Sequence, residues 1–244
     1  MATATPAGGT RRRCAQRWPR ATELHMIHHP SPNFGPRRNG ERPELVVLHY
    51  TEMASAEAAR DRLCCAQAEV SAHYLIGRDG RLWQLVDETQ RAWHAGAGAW
   101  QGSGDVNSRS IGIELDNDGQ SPFSAPLMLR LEVLLRQILT RWNIPAAGVI
   151  AHSDMAPLRK IDPGPRFDWQ RLARQNLSIW PGSNGDPNAP LSASLDMIGY
   201  PEAAPEARLK AFRLRFRPSA TGPECAADRA SADAVAKLCQ TFEN

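Results

Sequence analysis

The sequence predicts an α/β fold in which a central mixed β-sheet is flanked by helices, with a small C-terminal helical module appended. Three observations carry this. Leu45-Val46-Val47-Leu48 is an unbroken apolar run of the kind that strands buried on both faces show. Leu127, Leu131, Leu134, Leu135, Ile138, Leu139 and Trp142 recur at one-face helical spacing. Between and after them, strand-like and helix-like segments alternate, which is the pattern of a sheet covered by helices.

Residues 1 to 40 read as an irregular arm, because Pro30, Pro32, Gly35, Pro36 and Gly40 interrupt every period. The apolar strand from Leu45 follows and ends at His49. Ser55 is placed to cap a helix over about 56 to 66. Ala72 to Val86 reads as two strands turning at Asp79-Gly80, and Ser110 to Leu115 as another strand. Ser124 caps the long amphipathic helix, which Asn143 and Pro145 end. Gly148 to Ala151 is a further short strand, and Asp168 opens a helix through Arg174. The main domain is thus expected over 41 to 180. Pro181 to Pro190 is rich in Pro, Gly, Ser, Asn and Asp, so 181 to 191 reads as a linker. Three short helices are then expected over 192 to 198, 206 to 216 and 226 to 242, making a module of 192 to 244.

Composition narrows the function. At 244 residues the chain is long enough to bury a full core, and 42% hydrophobic with 23% charged residues is ordinary for a globular protein. No apolar run approaches the ~20 residues of a spanning helix. The net charge of +3 is mild, with basic residues at Arg11, Arg12, Arg13, Arg17 and Arg20 and again over Arg208 to Arg217. Without interleaved stacking aromatics these read as solvated ends and not as a nucleic-acid surface. The N-terminal stretch has charge but no apolar export segment, and the five cysteines lack metal-finger spacing. A cytoplasmic protein is therefore expected, with the cell envelope as the alternative. Cys225 and Cys239 can pair only if no single helix holds both, since fourteen helical residues span roughly 21 Å.

Chemistry gathers at strand ends. His49 and His152 each follow an apolar strand, and Asp162 lies in the loop after the second. Two imidazoles and a carboxylate make an open tetrahedral zinc site. Lys160 stands two residues from Asp162, so in an extended segment both point one way and the ammonium is available to an oxyanion. Glu114 follows Ile111-Gly112-Ile113 and is placed to move a proton at the sheet edge. Taken singly, each also fits a structural role: a buried histidine, a solvated lysine, or a salt bridge from Glu114 to Arg109.

Together the blocks Val46-Val47-Leu48-His49-Tyr50-Thr51, Ser71-Ala72-His73-Tyr74-Leu75-Ile76, Arg91-Ala92-Trp93-His94-Ala95-Gly96, Ser110-Ile111-Gly112-Ile113-Glu114-Leu115, Ala151-His152-Ser153-Asp154 and Lys160-Ile161-Asp162-Pro163-Gly164 resemble the zinc N-acetylmuramoyl-L-alanine amidases over about residues 41 to 178. The resemblance implies the fold shared by these amidases and the peptidoglycan-recognition proteins. It implies one zinc ion on His49, His152 and Asp162, Glu114 as general base and Lys160 as stabiliser of the tetrahedral intermediate. The implied reaction is hydrolysis of the amide between N-acetylmuramic, or 1,6-anhydro-N-acetylmuramic, acid and L-alanine, with muropeptides or peptidoglycan as partners. A carboxylate third ligand resembles the bacterial recycling and cell-wall branch, whereas phage enzymes and recognition proteins commonly carry cysteine there. Trp93, His94 and Arg109 are candidates for the substrate groove, and His73 reads as structural. Around Tyr200 and Phe212 the tail resembles a small peptidoglycan-binding module. The alternative is a non-catalytic recognition protein, which has no need of all five polar residues. A stem-peptide zinc peptidase is disfavoured by the absence of a His-Glu-x-x-His helix.

Overall fold

The computed structural model describes residues 25–241. The arginines at 11, 12, 13, 17 and 20, Cys14, the first part of the expected arm and the last residue of the third expected tail helix lie outside the described residues. Among the described residues there are eight strands and eight α-helices. They are β1 (Met26–His28), β2 (Phe34–Pro36), β3 (Leu45–Tyr50), α1 (Ala56–Leu63), β4 (Tyr74–Ile76), β5 (Leu82–Gln84), β6 (Gln90–Ala92), α2 (Val106–Arg109), β7 (Ser110–Leu115), α3 (Ala125–Trp142), β8 (Val149–Ala151), α4 (His152–Met155), α5 (Trp169–Ala173), α6 (Leu191–Ile198), α7 (Pro205–Phe216) and α8 (Ala226–Gln240).

Six strands form one mixed sheet in the order β1-β5-β4-β7-β3-β8, and β2 pairs with β6 in a separate two-stranded ribbon. β3 lies at the interior of the sheet, parallel to β7 on one side and β8 on the other. β4 and β5 are the expected antiparallel pair. The expected irregular arm needs correction, because Met26–His28 runs parallel to β5 as an edge strand and Phe34–Pro36 pairs with β6. Each of these pieces is only three residues long, too short for a period to show. The three expected caps form: Ser55 accepts from the Ala58 N–H, Ser124 from Leu127 and Asp168 from Arg171.

Side-chain alternation along β3 explains the layering. Val46 and Leu48 join Ile111, Ile113 and Leu115 of β7 beneath the apolar stripe of α3. Leu45 and Val47 face the opposite way, into a cluster with Ile150, Tyr200, Phe212, Phe216 and Val235. The second sheet face is therefore covered by residues of the three C-terminal helices. A third cluster seats Ala56, Ala59 and Leu63 of α1 on Leu75 and Trp83.

The arginines of α7, together with Arg217 at its C-terminal cap, correct the solvated-end expectation. Arg208 pairs with Asp196, Arg213 and Arg217 with Asp228, and Arg215 with Asp154. Arg215 and Asp154 are both fully buried. The guanidinium also donates to the Val149 carbonyl and lies over the Trp169 ring, while Asp154 accepts from the Tyr200 hydroxyl and the Ala151 N–H. Cys225 caps the start of α8 and Cys239 lies near its end, so one continuous helix keeps them from bridging.

Candidate active site

Strand register assembles the site. On β3 the face that carries Leu45 and Val47 also carries His49. On β7 the face opposite Ile111, Ile113 and Leu115 carries Gly112 and Glu114. His49 and Glu114 are direct partners across the two strands. β8 runs straight into α4, whose first residue is His152. The loop beyond α4 returns because the Ser153 N–H donates to the Asp162 carbonyl at 3.1 Å, and this closure brings Asp162 back beside His152.

Three electron-pair donors meet there. His49 Nδ1 lies 2.9 Å from His152 Nδ1 and 3.0 Å from Asp162 Oδ2, and His152 Nδ1 lies 2.9 Å from the same oxygen. All three residues are buried. His152 Nε2 donates to the Ala95 carbonyl at 2.9 Å, because a carbonyl only accepts, so a neutral His152 keeps a bare lone pair on Nδ1. A lone pair and a carboxylate converging out of solvent call for a cation between them, and two imidazoles with one carboxylate are the donor set of an open zinc site.

The electrostatics agree. Burial, and then the neighbouring His152, lowers His49 to about 4, so its ring is neutral at ordinary pH. For Asp162 burial alone would raise the carboxyl, but its close contacts with His152 and His49 outweigh it and hold it well below the usual carboxylate range. Glu114 moves the other way. Burial, then the charge of Asp162, raises it well above the ordinary value, against the opposing pull of Lys160. Its Oε2 is sequestered from solvent without a hydrogen-bond partner. One orphaned carboxylate oxygen beside a ligand cluster is what a proton carrier needs.

These groups line a cavity of ≈ 420 Å³ that also includes Lys160, Trp93 and His94. Arg109 does not line it, which corrects its assignment to the substrate groove. Its guanidinium is committed to Glu44 and to the carbonyls of Trp100 and Ser103, so it neither reaches the cavity nor pairs with Glu114. His73 is buried and bonded on both ring nitrogens, accepting from Gly112 N–H and donating to the Gln90 carbonyl, in keeping with a structural part.

Sequence reasoning missed Tyr50, Arg62 and Arg159 as cavity residues. Tyr50 adjoins His49 and was a findable neighbour. Arg62 arrives on α1 and Arg159 through hydrogen bonds to the Ala95 and Ala97 carbonyls, contacts across 64 and 62 positions that no local pattern announces.

Comparison with known proteins agrees with this geometry. Residues 39–165 match the family described as N-acetylmuramoyl-L-alanine amidase. The chain is 34% identical to the N-acetylmuramoyl-L-alanine amidase AmiD of Escherichia coli, over 77% of this chain and 79% of that one. It is 35% identical to the 1,6-anhydro-N-acetylmuramyl-L-alanine amidase AmpD of Enterobacter cloacae, over 59% and 87%. Among solved structures, E. coli AmiD in complex with anhydro-N-acetylmuramic acid-L-Ala-D-gamma-Glu-L-Lys superposes with a TM-score of 0.73 at 33% identity, covering 86% of this chain and 93% of that one. AmpDh3 of Pseudomonas aeruginosa in complex with anhydromuramic pentapeptide gives 0.74 at 28%, covering 82% and 94%. With the family match spanning more than half of its residues, and a relative above 30% identity aligned over most of both chains, this protein belongs to the N-acetylmuramoyl-L-alanine amidase family.

Proposed function

We propose that this amidase hydrolyses the bond between the lactyl carbonyl of N-acetylmuramic or 1,6-anhydro-N-acetylmuramic acid and L-alanine, with His49, His152 and Asp162 holding one zinc ion. The convergence of two imidazole nitrogens and a carboxylate oxygen within about 3 Å of one another carries the reading. Zinc held there would polarise the scissile carbonyl and acidify a water, which is the chemistry such an ion supplies.

The chain's own residues do the rest. Glu114 Oε2 takes the proton of the attacking water and returns it to the departing alanine nitrogen, and its upward shift makes it a stronger base than an ordinary carboxylate. Lys160, on the cavity wall, places a positive charge where oxyanion character develops. Trp93 contributes an aromatic wall, with its backbone N–H fixed to Ser71 Oγ at 2.8 Å. Soluble anhydromuropeptides are the favoured substrate, supported by the anhydromuramic ligands in the AmiD and AmpDh3 structures. Among the described residues no helix is long and apolar enough to cross a membrane. Residues 192 to 241 are read as a cover for the second sheet face, a role the Arg215–Asp154 pair supports.

The test is mass spectrometry of the products from soluble anhydromuropeptides and from intact peptidoglycan. Free stem peptide beginning with L-alanine is expected, faster from the soluble substrate. Binding of either without cleavage would favour the non-catalytic recognition reading.

A further inference from the structure

His49 reaches the ligand cluster through Nδ1, so its other nitrogen decides whether Nδ1 carries a lone pair or a proton. That other nitrogen, Nε2, lies 3.1 Å from His94 Nδ1. His94 Nε2 in turn lies 3.2 Å from Ser110 Oγ, and Ser110 Oγ lies 2.5 Å from the Val106 carbonyl. The direction of this chain follows from donor and acceptor capacity alone. The Val106 carbonyl can only accept, so the single Ser110 hydroxyl proton is spent on it. Ser110 Oγ then accepts from His94, which places the His94 proton on Nε2 and leaves Nδ1 bare. A bare His94 Nδ1 accepts from His49 Nε2, which leaves His49 Nδ1 bare in its turn.

We propose that Ser110 and His94 are positioning residues that fix the tautomer of His49, holding its Nδ1 as a lone pair turned toward the metal. The inference rests on the zinc reading of the site. Ser110 is fully buried, so no solvent competes for its hydroxyl. The His94 ring is also seated mechanically. A Cβ at Gly112 would stand 2.4 Å from His94 Cγ, so the ring occupies space that only glycine leaves open on β7. From the other side, Asn107 Oδ1 accepts both the His94 and Ala95 N–H groups and pins the loop that carries the ring. An outer partner of this kind ordinarily sets ligand orientation and basicity. Here it is a second histidine, whose own proton is set by a serine on the same strand as Glu114.

The experiment is zinc affinity of the full-length protein by competition with a chromophoric chelator, for wild type and Ser110→Ala, together with side-chain nitrogen NMR of His94 in the zinc-loaded wild type. Loss of the hydroxyl frees His94 to adopt the opposite tautomer and to offer a proton to His49. The expected results are a zinc dissociation constant raised roughly 10- to 100-fold in Ser110→Ala, and a wild-type His94 protonated on Nε2. Unchanged affinity in a folded Ser110→Ala, or a wild-type His94 protonated on Nδ1, overturns the relay and leaves the zinc site standing. Should Ser110→Ala not fold, the wild-type spectrum decides by itself. Failure of the wild type to bind zinc overturns the relay and the zinc reading together.

Discussion

His49 and Glu114 are register partners on adjacent parallel strands, and both project from the sheet face opposite α3. A metal ligand and a proton carrier are thereby held side by side by backbone pairing, with no loop between them to relax. Their separation of roles gives the first prediction. Glu114→Gln keeps shape and removes the base, so kcat is expected to fall about 10²- to 10⁴-fold while zinc content, measured by atomic absorption, stays at the wild-type level. Unchanged kcat would remove Glu114 from the mechanism.

Lys160 and Asp162 lie two residues apart, yet they are expected to fail differently. Asp162→Ala strips the carboxylate from the cluster and is expected to lose stoichiometric zinc on dialysis. Lys160→Ala is expected to retain zinc and to lose roughly 10²- to 10³-fold in kcat, the range for removal of one oxyanion-stabilising group. Loss of metal from Lys160→Ala, or its retention by Asp162→Ala, would contradict these roles.

The Arg215–Asp154 pair ties α7 to the short helix that begins with His152. Arg215→Ala leaves a carboxylate fully buried without its cation, and such a loss costs about 3–5 kcal/mol. Chemical denaturation is expected to show a destabilisation of this size. A change under 1 kcal/mol, taken as roughly the worth of an exposed pair, would mean that the C-terminal helices are not fastened through this contact.

Asp228 supplies the pH dependence. Burial alone would raise its carboxyl, but hydrogen bonds from Arg213, the Cys225 N–H and Arg217 outweigh it and hold it well below the ordinary range. A depressed folded-state value stabilises above the unfolded value, near 3.9, and that contribution is lost progressively as pH falls from there through the folded value. The melting temperature is therefore expected to drop progressively as pH falls below about 5, and to go on falling below about pH 3, less steeply in Asp228→Asn. The same acid slope in both would show that Asp228 carries none of it.

Much of this was legible in the sequence wherever the signal was local. The Leu45–Leu48 run, the α3 stripe and the caps at Ser55, Ser124 and Asp168 are short-range patterns, and each appears where expected. Strand alternation then orients His49 and Glu114 once their strands are paired. What was hidden is non-local. The arginines of α7 look like a solvated basic run because Asp154 and Asp196 lie in earlier segments and Asp228 in the next helix. Arg109 resembles a substrate contact until Glu44, 65 positions away, claims it. The edge strand β1 is only three residues long and exists through its pairing with β5. The His94–Ser110 relay needs two rings and a hydroxyl placed in three dimensions, which spacing alone does not convey.

The most direct measurement is turnover of an anhydromuropeptide by protein stripped of metal, its emptiness verified by elemental analysis, and then titrated with zinc. The account predicts no cleavage in the stripped protein and full recovery at one zinc per chain. Full activity in verified metal-free protein would contradict it.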